Sequence, residues 1–192
     1  MTMNRLLVVF VLLLVAVAAP FAAADTIMWN GVNIGTVTLT QVGSNVTVEF
    51  KITDANYAFK INGADFLFNT GGATTGILAG SITIDGSSYS GKFKLDGPAT
   101  RGGLSYSYDL TQLKGGLASD VTFTLTNITI AQLESGPFGV HACKLTAVGG
   151  SDCSLTGFAS TGQGTVPEPG TLSLLGTGLV GLAGAFRRRF LS

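Results

Sequence analysis

Through most of the middle of the chain, apolar and polar residues alternate with a period of two. Val46, Val48, Phe50 and Ile52 alternate with Thr47, Glu49, Lys51 and Thr53, the pattern of a strand with one buried and one solvated face. Just upstream, Val37 and Leu39 alternate with Thr36, Thr38 and Thr40, and Val42-Gly43-Ser44-Asn45 suits a hairpin connection between the two runs. Leu104, Tyr106, Tyr108 and Leu110 form an apolar row opposite Ser105, Ser107 and Asp109. Val121, Phe123 and Leu125 repeat the theme. The phase then slips at Asn127, where Ile128 and Ile130 take over the apolar positions, and this slip predicts a β-bulge.

Shorter strands are predicted at residues 66–68, 80–84, 89–95, 140–148 and 154–159. Turn signals separate them: Asn62-Gly63, Gly71-Gly72, Asp85-Gly86, Asp96-Gly97-Pro98, Gly102-Gly103 and Gly149-Gly150. Regular short strands without intervening helical patterns predict an all-β domain, an antiparallel β-sandwich or jelly-roll-like fold, over residues 25–160. One short helical turn is a candidate at residues 111–117, although Gly115-Gly116 weakens it.

The two ends are built differently. Arg5 precedes an unbroken apolar run over residues 6–19, followed by Pro20-Phe21 and then Ala22-Ala23-Ala24 before Asp25. A basic residue, a short apolar stretch and small residues at Ala22 and Ala24 predict a signal peptide over residues 1–24, cut by signal peptidase between Ala24 and Asp25. At the other end Val166-Pro167-Glu168-Pro169-Gly170 leads into residues 171–186, which carry no charge, and then Arg187-Arg188-Arg189-Phe190. Sixteen helical residues rise about 24 Å, close to a membrane core of about 30 Å, and snorkelling arginines shorten the gap. Residues 167–190 therefore read as a C-terminal transmembrane helix, with the arginines as a cytoplasmic stop. Residues 161–166 read as a flexible spacer.

This tail closely resembles the PEP-CTERM sorting signal of Gram-negative bacteria, in which Pro-Glu-Pro precedes a membrane segment and a basic cluster. The resemblance covers about an eighth of the chain. It implies recognition by an exosortase, a multi-pass membrane peptidase, with Pro167, Glu168 and Pro169 as recognition positions. It also implies a transient inner-membrane anchor, then transfer to the cell surface or extracellular matrix. Proteins of this kind typically accompany exopolysaccharide and biofilm formation. Gly176, Gly178 and Gly181 spell G-x-G-x-x-G, but no strand precedes them and the chain ends soon after, so they read as glycine-rich helix packing rather than a dinucleotide site.

Charge narrows the partners. Setting aside Arg5, Arg187, Arg188 and Arg189 from eleven basic residues, and Glu168 from eleven acidic ones, leaves seven and ten in the body. A mildly acidic body has no footprint for nucleic acid. Cys143 and Cys153 bracket the turn at residues 149–152, and in an oxidising compartment they read as a disulfide across a hairpin. A zinc site would need two more ligands, and His141 is the only histidine.

Catalytic patterns are sparse. There is no G-x-S-x-G elbow, and Asp54, Asp65, Asp85, Asp96 and Asp109 read as turn formers, although folding could bring two carboxylates together as a glycosidase pair. His141 reads as a satisfied strand residue. Tyr57, Phe59, Phe66, Phe68, Tyr89, Tyr106 and Tyr108 offer sugar-stacking faces, though their alternation matches core burial. Trp29 reads as a cover for the fold or its edge. Asn45-Val46-Thr47 and Asn127-Ile128-Thr129 match the glycosylation sequon and are expected in strands. The expectation is a non-enzymatic surface or matrix structural protein without cofactor or metal, with extracellular carbohydrate binding as the alternative and a secreted hydrolase behind both.

Overall fold

The computed structural model describes residues 22–62 and 66–162. Three strands open the domain: β1 (Ala22–Trp29), β2 (Val32–Val42) and β3 (Asn45–Ile52). Asn30 and Gly31, with φ of 49° and 80°, join the first two, and Gly43 at 61° begins the second connection. Positive φ at both central residues is what a tight two-residue hairpin needs, and Asn-Gly supplies it at least cost. β4 (Tyr57–Asn62), β5 (Phe66–Phe68) and the short β6 (Gly76–Ile77), β7 (Thr83–Ile84), β8 (Ser87–Ser88) and β9 (Lys94–Asp96) follow. Next come β10 (Ala99–Arg101), β11 (Leu104–Tyr106), β12 (Tyr108–Thr111), β13 (Lys114–Ala118) and β14 (Asp120–Thr126). A helical turn, α1 (Ile130–Leu133), precedes β15 (Gly139–Leu145) and β16 (Cys153–Thr161).

The domain is mostly antiparallel β, as expected. Two separate sandwich sheets are not what forms. Among the described residues, fourteen strands make one sheet with the main order β8-β7-β14-β3-β2-β1-β16-β15-β5-β12-β9, while β13 and β4 branch from β15 and β6 pairs with β14. The sheet curls because its two limbs share a single core. Val46, Val48 and Phe50 of β3 are fully buried, and Phe50 meets Phe59 of β4 at 6.3 Å and Phe66 of β5 at 5.0 Å between ring centroids, both edge to face. Phe123 of β14 lies 6.1 Å from Phe50 and Phe138 6.0 Å from it. At the fold line, among the described residues, β1 and β16 pair at Ile27–Thr161 and Met28–Ser160. β16 runs through the fully buried Thr161, whose Oγ1 accepts a bond from Phe138 N at 2.9 Å, so the domain reaches one residue past the expected boundary.

Several local expectations are corrected. Residues 111–117 are not helical: Gln112 turns the chain with a φ of 64° and β13 then lies against β4. Gly115 permits this, because a Cβ there would stand 3.2 Å from Ile61 Cγ2. The phase slip at Asn127 is the end of β14 rather than a bulge. Asn127 takes a φ of 54°, a conformation Asn tolerates better than most residues, and Thr129 then caps α1. Thr129 and Gln132 form a reciprocal capping box. Asn127 therefore lies in a turn, whereas Asn45 does open β3. The apolar row at residues 104–110 is split between β11, which among the described residues pairs with β10 alone, and β12, which belongs to the main sheet.

Side-chain bonds hold the short strands. Asp85, at a φ of 48°, accepts from Ser119 N, Ser119 Oγ and Asp120 N at 2.8–2.9 Å, tying the β7–β8 turn to the start of β14. Asn69 donates to Pro137 O and Ser105 O and accepts from Ser107 N and Oγ, joining three segments. Because Phe50 touches both limbs, Phe50→Ala is expected to lower stability by about 4 kcal/mol. Thr129→Ala, which removes only a cap, should cost about 1 kcal/mol. Chemical denaturation of the two variants checks both values.

Candidate functional site

The residues that the sequence marks for chemistry fall in three places: the β15–β16 hairpin, the outer face of the second limb, and the chain ends. On β15, Val140 and Ala142 belong to the main core, while Cys143 and Leu145 form a second buried cluster with Ala58. Gly139, His141 and Cys143 therefore share the face turned away from the core. Cys143 and Cys153 are joined as a disulfide with their Cα atoms 5.6 Å apart. The bridge is diagonal, since Cys143 stands opposite Thr156 and Leu145 opposite Cys153 across a register shift. That shift, invisible in the sequence, brings the two sulfurs together.

His141 stands opposite Phe158 on β16, and the rings stack at 5.6 Å with 3° between their planes. Next to it, Tyr106 lies over Gly139, where a Cβ would come within 2.6 Å of the phenol oxygen. Burial pushes the Tyr106 phenol above its usual value. The β10–β11 hairpin thus covers the outer face, and a Cβ on Gly102 of its turn would lie 3.5 Å from Phe158 Cβ.

Of the five aspartates expected to form turns, Asp54 and Asp85 do so, Asp54 accepting from Asn56 N and Nδ2. Asp65 lies outside the described residues. Asp96 and Asp109 are not turn formers. They are direct cross-strand partners on β9 and β12, so their side chains share a face. Asp109 is buried, at 3 % exposure, because its strand turns Tyr108 and Leu110 inward and the sheet's outer face is covered here. Asp96 pairs with Lys94 and accepts from Thr111 Oγ1 at 3.2 Å. The hydrogen bond from Lys94 is the main cause that holds its carboxyl below the usual 3.8, followed by opposing burial, the Thr111 bond and the Lys94 charge. Among the described residues, no group of three or more His, Cys, Asp or Glu is placed to hold a metal ion.

Phe59, Phe66 and Phe68 are fully buried and Tyr106 nearly so, while Tyr57, Tyr89 and Tyr108 pack against the core. Trp29 is 6 % exposed, edge-on to Tyr57 at 5.6 Å and beneath Gly157, so it seals the core where β1, β4 and β16 converge.

At the N-terminus, Ala24 and Asp25 both lie in β1, with Ala22, Ala23 and Ala24 opposite Thr40, Leu39 and Thr38. Ala22 and Ala24 are exposed and only Ala23 packs against the core, so a strand beginning at Asp25 keeps the buried Ile27 and Trp29. Asp25 acts on Glu134 at the end of α1, whose carboxyl is raised above its ordinary 4.5 first by burial and then by the Asp25 charge. Pro167, Glu168, Pro169, Arg187, Arg188 and Arg189 lie outside the described residues, as do residues 1–21.

Comparison with known proteins decides the reading of the C-terminus. A family model described as the PEP-CTERM protein-sorting motif matches residues 165–189. The tail is a PEP-CTERM sorting motif. It implies an exported protein processed at its C-terminus by an exosortase. Neither a curated protein nor a solved structure matches the chain. Among the described residues no helix is long and apolar enough to cross a membrane. The expected transmembrane helix of the PEP-CTERM tail lies outside them, so the structure lends that helix no support.

Two outcomes follow from this geometry. Replacing both Cys143 and Cys153 by Ala opens a short loop and should lower stability by about 2–3 kcal/mol, read from chemical denaturation. Glu134 has a raised value when folded, so the folded chain keeps a proton that the unfolded chain has released. Its contribution is fully present below the unfolded value and is lost as pH rises through about 4.5 and above. Glu134→Gln should therefore raise the melting temperature at about pH 7 and leave it unchanged near pH 3, as thermal melts across that range will test.

Proposed function

We propose that this chain is a structural component of the cell surface or extracellular matrix, carried out by its signal peptide and sorted by an exosortase through residues 165–189. In this reading the tail spans the inner membrane transiently, with Arg187, Arg188 and Arg189 on the cytoplasmic side, and Pro167-Glu168-Pro169 is what the exosortase reads. The β domain is then cargo without enzymatic activity, delivered to a matrix of exopolysaccharide. The observation that carries the reading is the match of the sorting motif to the C-terminus. The disulfide agrees with it, because a bridged pair suits an oxidising compartment.

The physical make-up of the domain fits such a role. A curled sheet of fourteen strands closed on one aromatic core leaves a surface rich in Thr, Ser and Gly. Carbohydrate binding is the second reading. The burial of the aromatics named above weighs against it, since sugar stacking needs an exposed ring face.

Replacing Pro167, Glu168 and Pro169 by Ala is expected to hold the protein in the inner-membrane fraction while the unaltered chain reaches the surface. Cell fractionation with immunoblotting reads the result. Equal surface levels for the two chains would replace exosortase sorting with an ordinary anchor or another export route.

A further inference from the structure

β1 and β16 are antiparallel neighbours at Ile27–Thr161 and Met28–Ser160, so the chain enters β1 and leaves β16 at the same end of the sheet. The β2–β3 turn lies at that end too, because Ala22 stands opposite Thr40. From the level of Thr161, β1 continues five residues to Ala22 and β2 two more to Val42, together about 24 Å. Thr161 is fully buried, and its N and Oγ1 bond to Phe138 O and N, so the folded domain holds the chain up to that residue. Six residue steps separate Thr161 from Pro167 and span at most about 20 Å in any conformation. The sorting motif therefore cannot stand clear of the domain, and whatever reads Pro167-Glu168-Pro169 comes against this end of the sheet.

We propose that the end formed by the β2–β3 turn and α1 is the surface on which the domain docks against the outward face of the exosortase. The proposal rests on the sorting reading given above and adds to it a contact between the folded domain and the enzyme. Three stretches make the surface: residues 40–46, 69–75 and 126–136. They are tied together beforehand, since Gln41 donates to Ile128 O and accepts from Ile130 N, Ile128 N donates to Ser44 O, and Gly71 lies against Ser135. Little ordering then remains for association to impose. Their composition suits a protein partner and not a lipid one. Glu134 is the only charged residue in the three stretches, and the seven basic residues of the body all fall outside them. Attraction to anionic lipid needs lysine or arginine, so nothing here draws the domain onto the bilayer itself. One large apolar side chain, Val42, stands exposed among hydroxyl and amide groups, at 63 %. An apolar contact ringed by uncharged hydrogen-bonding groups is the make-up of a protein interface.

The test uses the full chain in cells that carry its own exosortase. Val42→benzoylphenylalanine, irradiated in intact cells, should give a product of this chain joined to the exosortase, identified by mass spectrometry. The same group at Val148, 69 % exposed at the opposite end in the β15–β16 loop, should not. Val42→Lys should slow removal of the tail about tenfold, read by immunoblot as the shortened chain, with the melting temperature of the extracted protein unchanged. A cross-link from Val42 to phospholipid in place of the enzyme, or one no stronger than from Val148, overturns the proposal. So does a Val42→Lys chain processed at the full rate while alanines at Pro167, Glu168 and Pro169 block processing, a result that leaves the sorting reading standing. Full processing of the alanine chain instead removes the sorting reading, and this proposal with it.

Discussion

The contact of Phe50 with rings from both limbs is what turns a long antiparallel ribbon into a closed domain. β3 reaches β4 and β5 through side chains alone, with Phe59 and Phe66 standing edge to face against Phe50. Among the described residues the backbone link at the fold line is slight, two residue pairs between β1 and β16. Burial of apolar surface, and not the ladder, therefore sets the curl. The outer face depends on it, because that face exists only where the inner face is filled.

Small strands survive in this design through specific polar bonds. β7 and β8 are two residues each, too short to hold by pairing, and Asp85 fastens their turn to Ser119 and Asp120. Tyr89 accepts from Lys114 N and donates to Lys92 O, doing the same for the stretch before β9. The disulfide plays this part for the β15–β16 hairpin, whose tip also bonds to the β3–β4 loop through Gly149 N to Ala55 O. An exported domain must keep such short elements in place without help from the cytoplasm. Local bonds of this kind act at the sites where the shared core is thinnest.

The tail and the body carry different kinds of information. The tail is read by other proteins as a linear signal, so its meaning survives without a fold. The body means nothing until it is folded, because its paired residues lie far apart in the chain. Asp96 and Asp109 are thirteen positions apart yet become direct neighbours, with one half-buried beside Lys94 and the other enclosed. Periodicity could not foresee this, since Asp109 alternates as a solvent-facing residue and is enclosed only because the outer face is covered here.

What the sequence determined by itself was everything local or linear. The sorting motif, the strands at residues 37–52 and 121–125, the turn glycines and the cysteine pairing all follow from neighbours within a few positions, where steric and hydrophobic preferences act directly. The capping box at Thr129 and Gln132 was equally local, a Thr-x-x-Gln signal that the apparent strand phase concealed. Only the tertiary structure decided that the sheet is one curled surface, that residues 111–117 extend along β4, and that Tyr106 lies over Gly139. Those outcomes rest on contacts between segments tens of residues apart, and such contacts form where one shared core must be filled. No window of sequence contains both partners.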